Sequence, residues 1–166
     1  SKIVKLNFEK RGIKIKTSSA LKSVTTRENS VSAEIITNEK VETINSEKLI
    51  LAIGIIANTE KLGLKDFNVK IDKGHVVTNE FLETDEKGVF AIGDITDGPW
   101  LAHKASHEGV LCVEKIAGHQ NLKPIDKTSI PGCTYCRPQV ASIGMTETQA
   151  RSKNFNLKIG KFPFIG

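Results

Sequence analysis

Residues 89–109, VFAIGDITDGPWLAHKASHEG, constrain the fold more tightly than any other part of the chain. Val89, Phe90, Ala91 and Ile92 form an unbroken apolar run, which predicts a buried strand. The run stops at Gly93-Asp94, a turn follows, and an alanine-rich helix is expected to begin near Ala102. A strand ending on Gly-Asp lets its backbone approach a ligand closely and aims one carboxylate at a hydroxyl. The helix beyond presents unpaired N–H groups at its N-terminus to an electron-rich atom. Strand, turn and helix together make a holder for a nucleotide cofactor.

The remaining elements follow from periodicity and breakers. Ile3, Val4, Leu6 and Phe8 suggest the end of a helix broken by Gly12. Alternation at Ile13, Ile15 and Thr17 gives a short strand, and 20–26, 31–37 and 41–44 give an antiparallel meander. Asn29 and the Asn38-Glu39-Lys40 cluster supply its turns. Leu49 to Ile53 does not alternate, so a central parallel strand buried on both faces is expected there. Residues 58–72 read as a loop with a short helical turn. Strands are expected around Val76-Val77 and Phe81-Leu82. A helix over 102–117 places Ala105, Val110, Val113, Ile116 and Ala117 on one apolar face and stops at Gly118. Residues 123–131, bounded by prolines, read as an interdomain connection. A strand over 140–143, a helix over 146–153 with a Thr146/Gln149 capping box, and a strand over 157–164 complete the reading. LILAIG at 49–54 echoes VFAIGD at 89–94; at Gly54 and Gly93 a missing side chain lets a dinucleotide cross a strand's carboxyl edge.

Composition narrows the function classes. The 166 residues are enough to bury one ordinary core, and no run of about 18 apolar residues is present to span a membrane. The N-terminal SKIVKLNFEKRG is charged throughout, without the apolar centre of a secretion signal, and the chain reads as an internal segment. A net charge of +5 comes from lysines scattered among glutamates, with one Trp and one Tyr, so a solvated surface is favoured over nucleic-acid binding. Three cysteines do not make a secreted disulfide framework, which favours a reducing interior.

Two constellations invite chemistry and are set aside. His103 and His107 share a helix face beside Glu108, but Lys104 follows the first histidine and no third ligand is evident, so no metal site is expected. Cys133-Thr134-Tyr135-Cys136 has dithiol spacing, yet no second pair or nearby histidines complete a metal site.

The 89–109 stretch resembles the second flavin-binding segment of the dihydrolipoamide dehydrogenases, within the disulfide oxidoreductases that use FAD and a pyridine nucleotide. The tail GPWLAHKASHEG points to that branch. The resemblance implies that Asp94, beside Gly93, accepts a hydrogen bond from a ribityl hydroxyl of FAD. It implies that the backbone at Ala102 and His103, opened by Trp100 and Leu101, approaches the pyrimidine end of the isoalloxazine ring. Reduced flavin gathers negative charge there, and a helix N-terminus offsets it. Trp100 stands where a methionine is expected. Gly54 is implied to contact NAD, although Ile55 replaces the usual arginine and Ala57-Asn58 a common Pro-Asn. PGCTYCRPQVASIGMTE resembles the opening of the family's interface domain.

The implied fold is α/β with α+β: partial FAD/NAD(P) domain halves, with parallel strands and an antiparallel β-meander, then the start of an α+β dimerisation domain. The implied boundaries are 1–57 for the end of the NAD domain, 58–122 for the second FAD segment and 123–166 for the interface domain. The implied activity is an electron relay from dihydrolipoamide, carried on a lipoyl domain, through a redox disulfide and FAD to NAD⁺. A homodimer within a 2-oxo acid dehydrogenase complex follows, in the bacterial cytoplasm or the mitochondrial matrix, with no nucleic-acid or membrane partner. The family's C-x-x-x-x-C, its G-x-G-x-x-G phosphate loops and its acid/base histidine are absent from these residues, so no catalytic residue is assigned. The chain alone is therefore expected to be inactive. Two alternatives stay open: a related FAD-dependent reductase of glutathione or mercuric type, and a non-catalytic binding or dimerisation module.

Overall fold

Asn38 and Glu39 both take left-handed φ, 48° and 64°, the combination a tight two-residue hairpin requires. Residues 2–164 are described in the computed structural model, and they fall into two units. The first holds Ser1–Ile55 and Tyr135–Gln139, the second Ile56–Thr134 and Val140–Gly166.

In the first unit α1 spans Lys2–Lys10, and the chain turns back where the Gly12 N–H donates to Glu9 O at 2.9 Å. β1 (Ser19–Arg27), β2 (Ser30–Thr37) and β3 (Lys40–Ser46) form the expected antiparallel meander in the order β1-β2-β3. Its register runs through Val24↔Ala33 and Ala33↔Ile44, with an irregularity between Leu21 and Ser23. Ala33 on the central strand is buried. Glu34 accepts from Lys22 Nζ at 3.1 Å and Ser23 Oγ at 2.9 Å, and these hold its carboxyl below the usual range. Residues 13–17 form no strand.

Leu49 to Ile53 departs from expectation. It is neither a strand nor buried: Ile50 and Ile53 stand 90% and 89% exposed. A parallel strand exists only through hydrogen bonds to strands on either side, and among the described residues none pairs with this run.

The second unit opens with a 3₁₀ turn at Leu64–Asp66 inside the expected loop. β4 (Ile71–Asp72) and β5 (His75–Val76) pair across Lys73-Gly74, so the hairpin lies upstream of the expected Val76/Phe81 pairing. The cause is Asn79, whose Oδ1 accepts from the N–H of Phe81 at 2.9 Å and of Glu83 at 3.0 Å, curling 79–83 into a side-chain-held turn. Val89 to Ile92 is extended but forms no strand in a parallel sheet. It runs antiparallel to 82–84 through an isolated Glu83↔Phe90 bridge, Ala91 N–H to Leu82 O at 3.0 Å and Thr84 N–H to Val89 O at 3.0 Å. The one parallel pairing among the described residues is a single bridge, Val76↔Thr96.

α2 spans Ala102–Ile116 and ends at Ala117-Gly118, as expected. Its inward face differs from the apolar stripe read from sequence. Lys104, Glu108, Leu111 and Cys112 are buried, whereas Val110, Val113 and Ile116 are exposed. The helix turns toward the 79–96 segment, where a charged pair finds partners and Leu111 and Cys112 meet Leu82. Phe81, Phe90, Leu122 and Ile125 pack around that small core. The 123–131 connection holds a 3₁₀ turn, Lys127–Ser129, capped by Asp126. β6 (Gly132–Thr134) pairs antiparallel with β7 (Val140–Ser142), and α3 (Glu147–Ser152) starts from the expected capping box of Thr146 and Gln149. No strand forms over 157–164, because no described segment offers it a partner edge. The chain is thus a mixed α/β fold with small antiparallel sheets, and among the described residues no helix is long and apolar enough to cross a membrane.

Candidate functional site

The Gly-Asp turn is built from the backbone of one glycine. Gly93 opens a 3₁₀ turn, Gly93–Ile95, with φ +76°, and a Cβ there would meet Ala105 Cβ of α2 at 3.4 Å. Its N–H donates to Glu108 Oε2 at 2.7 Å. Its carbonyl accepts from Thr96 N–H at 3.1 Å, Thr96 Oγ1 at 2.8 Å and Lys104 Nζ at 3.0 Å. Lys104 also donates to Thr96 Oγ1 at 3.1 Å and pairs with Glu108 at 3.0 Å. The lysine and glutamate side chains are only 1% and 5% exposed, so three buried polar groups (Thr96 with them) surround one peptide. Gly98, at φ +125°, lies against the stem of Lys104, where a Cβ would fall 3.0 Å from Cε.

Asp94 follows directly, exposed, and its carboxylate has no hydrogen-bond partner among the described residues. α2 begins after Leu101, which supplies no side-chain cap, and the first intrahelical bond runs from Ala105 N–H to Leu101 O at 3.1 Å. The amides of Ala102, His103 and Lys104 therefore precede the ladder and are without acceptors among the described residues. No acidic side chain lies in this first turn to offset their partial positive charge. A neutral, electron-rich or anionic group is what such an end attracts.

The flanking residues are placed as follows. Trp100 is half-buried and meets His75 edge-on, with ring centroids 5.9 Å apart at 79°. His103 Nε2 lies 2.8 Å from Pro131 O; a carbonyl only accepts, so this nitrogen carries the proton. That bond ties the start of α2 to the stretch before β6. Among the described residues no three His, Cys, Asp or Glu gather to hold a metal ion. Asp97 pairs with Lys127 at 3.2 Å, and this neighbour holds its carboxyl below the usual range. Burial pushes the Cys112 thiol up, Cys133 is exposed, and the Cys136 S–H donates to Pro138 O at 3.0 Å.

Gly93, Asp94, Trp100, Leu101, Ala102 and His103 all belong to the second unit. Gly54 belongs to the first, exposed at φ +145° with open space where a Cβ would stand. The sequence assigns a site role to the turn and the helix start but none to Lys104, Glu108 or Thr96. The signal available was a Lys/Glu pair at i, i+4 on the same helix face as Leu111 and Cys112, opening the helix that follows Gly-Asp.

Residues 1–109 match the pyridine nucleotide-disulphide oxidoreductase family, and residues 130–166 match the dimerisation domain of the same family. The chain is similar to a dihydrolipoyl dehydrogenase from Rhizobium etli, 46% identical over 98% of this chain and 34% of that protein. It is likewise similar to one from Zymomonas mobilis, 48% identical over 95% of this chain and 34% of that protein. A mitochondrial dihydrolipoyl dehydrogenase from Rattus norvegicus is 36% identical over 95% of this chain and 31% of its own length. The chain thus spans about a third of the curated relatives it matches. Among solved structures, LpdA from Mycobacterium tuberculosis superposes with a TM-score of 0.81 at 22% identity, over 91% of this chain and 32% of that one. The flavoprotein disulfide reductase RclA from Escherichia coli superposes at 0.79 and 20% identity, over 90% and 33%. At that identity the likeness concerns the fold.

Proposed function

The chain belongs to the pyridine nucleotide-disulphide oxidoreductase family, and from that premise we propose that it is a segment of a dihydrolipoyl dehydrogenase carrying part of the FAD and NAD sites. Residues 1–57 close the NAD domain, 58–122 form the second FAD segment, and 123–166 begin the interface through which the enzyme dimerises. The substrate is dihydrolipoamide borne on a lipoyl domain of a 2-oxo acid dehydrogenase complex. Relatives from bacteria and mitochondria support a cytoplasmic or matrix setting.

The observation that carries the reading is the pairing of an exposed, unpartnered Asp94 on a clamped turn with the uncapped start of α2, the helix that clamps it. These residues fit a flavin: a carboxylate free to accept from a ribityl hydroxyl, and backbone amides free to donate to the electron-rich edge of a ring. Gly93, with its Cβ side toward Ala105, lets the turn lie close against the start of α2. Trp100, Leu101, Ala102 and His103 form the wall beside it, and Gly54 serves the nicotinamide nucleotide. When bound, the flavin supplies the two-electron chemistry between a dithiol and a nicotinamide, and the chain's part is binding, orientation and charge stabilisation.

Titrating the chain with FAD and following flavin fluorescence tests this. Saturable quenching is expected, weakened roughly tenfold or more by Asp94→Ala, since a hydrogen bond to a charged acceptor is worth about 1.5–3 kcal/mol. An Asp94→Ala chain that binds as well as the parent refutes the assignment.

A further inference from the structure

The most buried charges in the molecule are not at the exposed carboxylate but beneath it. Lys104 and Glu108 sit almost wholly out of water, and every buried side-chain polar atom among the described residues is hydrogen-bonded. Helix stability does not explain them. Lys104 lies in the first turn of α2, where the helix dipole disfavours a cation, and it precedes Glu108, the weaker order for an i, i+4 pair. A buried ion pair also forfeits the hydration of both charges and is often no more stabilising than apolar residues of the same volume.

What the pair does hold is the peptide on each side of Gly93. The Gly93 N–H belongs to the plane shared with Ile92, and Glu108 fixes it at 2.7 Å. The Gly93 carbonyl belongs to the plane shared with Asp94, and Lys104 fixes it at 3.0 Å. Peptide units are planar, so anchoring one atom of each sets the direction in which Cα of Asp94 leaves the turn. Thr96, donating to the same carbonyl and accepting from Lys104, closes the loop.

We propose that Lys104 and Glu108 are positioning residues, a charged clamp that locks the Gly93-Asp94 turn to the first turn of α2 so that carboxylate and helix amides meet one ligand together. The clamp is carried by the helix whose N-terminus it aligns, so the two halves of the site cannot drift apart. This rests on the flavin reading above, and the ligand it serves is the ribityl-isoalloxazine part of FAD.

The test compares the chain with Asp94→Ala, Glu108→Leu, the double variant Lys104→Met/Glu108→Leu, and the variant Lys104→Met/Glu108→Gln. FAD affinity is read by fluorescence, fold stability by thermal unfolding, and the turn by hydrogen exchange at the Gly93 and Ala33 amides. The apolar double variant is expected to lose at least tenfold in FAD affinity while its Tm stays within about 4 °C of the parent, which a merely structural role would not give. Replacing the leucine by glutamine restores an acceptor for the Gly93 N–H and is expected to recover part of the loss. In Glu108→Leu alone, which removes the acceptor of the Gly93 N–H, exchange there is expected to quicken at least tenfold with Ala33 unchanged, and this arm stands even where the double variant does not fold. If Asp94→Ala weakens FAD while the double variant binds as tightly as the parent, or Gly93 exchange is unmoved, the clamp is overturned and the flavin reading survives. A parent chain that leaves FAD unquenched overturns both.

Discussion

Gly93 holds a left-handed backbone that L-residues rarely adopt, while a Cβ there would make only ordinary contact with Ala105. Gly93→Ala is therefore expected to lower stability by about 1–2 kcal/mol, the left-handed penalty for an L-residue, in urea unfolding. Asp97 illustrates a weaker kind of residue. Lys127 depresses its folded pKa, so its contribution is present above the usual carboxylate range and is lost as the pH falls through the folded value. Its side chain is 85% exposed, which keeps the effect small and sensitive to salt. Replacing Lys127 by methionine is expected to flatten the fall in stability as the pH drops below the usual carboxylate range, as followed by acid titration of the fold.

Among the elements, local chemistry carried the most information. Asn38-Glu39, Thr146 with Gln149 and Gly118 set a hairpin, a helix start and a helix stop through neighbours a few residues away, and sequence reading finds all three. What it misses depends on polar side chains bonding to particular backbone groups, which no apolar pattern announces. The pairing of 89–92 with 82–84 follows from the curl at Asn79, and the inward face of α2 follows from what Gly93 requires of Lys104 and Glu108. Apolar periodicity points to Val110, Val113 and Ile116, so the Gly-Asp turn is readable in advance while the charges that brace it are not. The two faces of α2 separate by mutation. Leu111→Ala, in the small core, is expected to cost about 2–4 kcal/mol, whereas Val113→Ala, 64% exposed, stays within about 0.5 kcal/mol by chemical denaturation.

At the scale of the whole molecule, the chain holds one third of what its relatives hold, and the chemistry divides accordingly. The residues proposed to meet the flavin and the stretch that matches the dimerisation domain lie within it; a G-x-G-x-x-G loop and a C-x-x-x-x-C pair do not. The 166 residues alone are expected to yield no NADH from dihydrolipoamide and NAD⁺ in a spectrophotometric assay, even with FAD added. The mixed α/β class was readable because turns and helices report it locally. The parallel pairing expected at 49–53 was not, since a strand's apolar run names its need for neighbours without providing them. That run has a consequence of its own. LILAIGIIA is uncharged, free of proline and rich in β-branched residues, and its isoleucines face water. From Leu49 to Ile56 its backbone makes no hydrogen bond among the described residues, and such a stretch templates intermolecular strand addition. Concentrated preparations should aggregate through it, and a gatekeeper charge, Ile50→Lys, should suppress the turbidity while leaving the meander's circular dichroism intact.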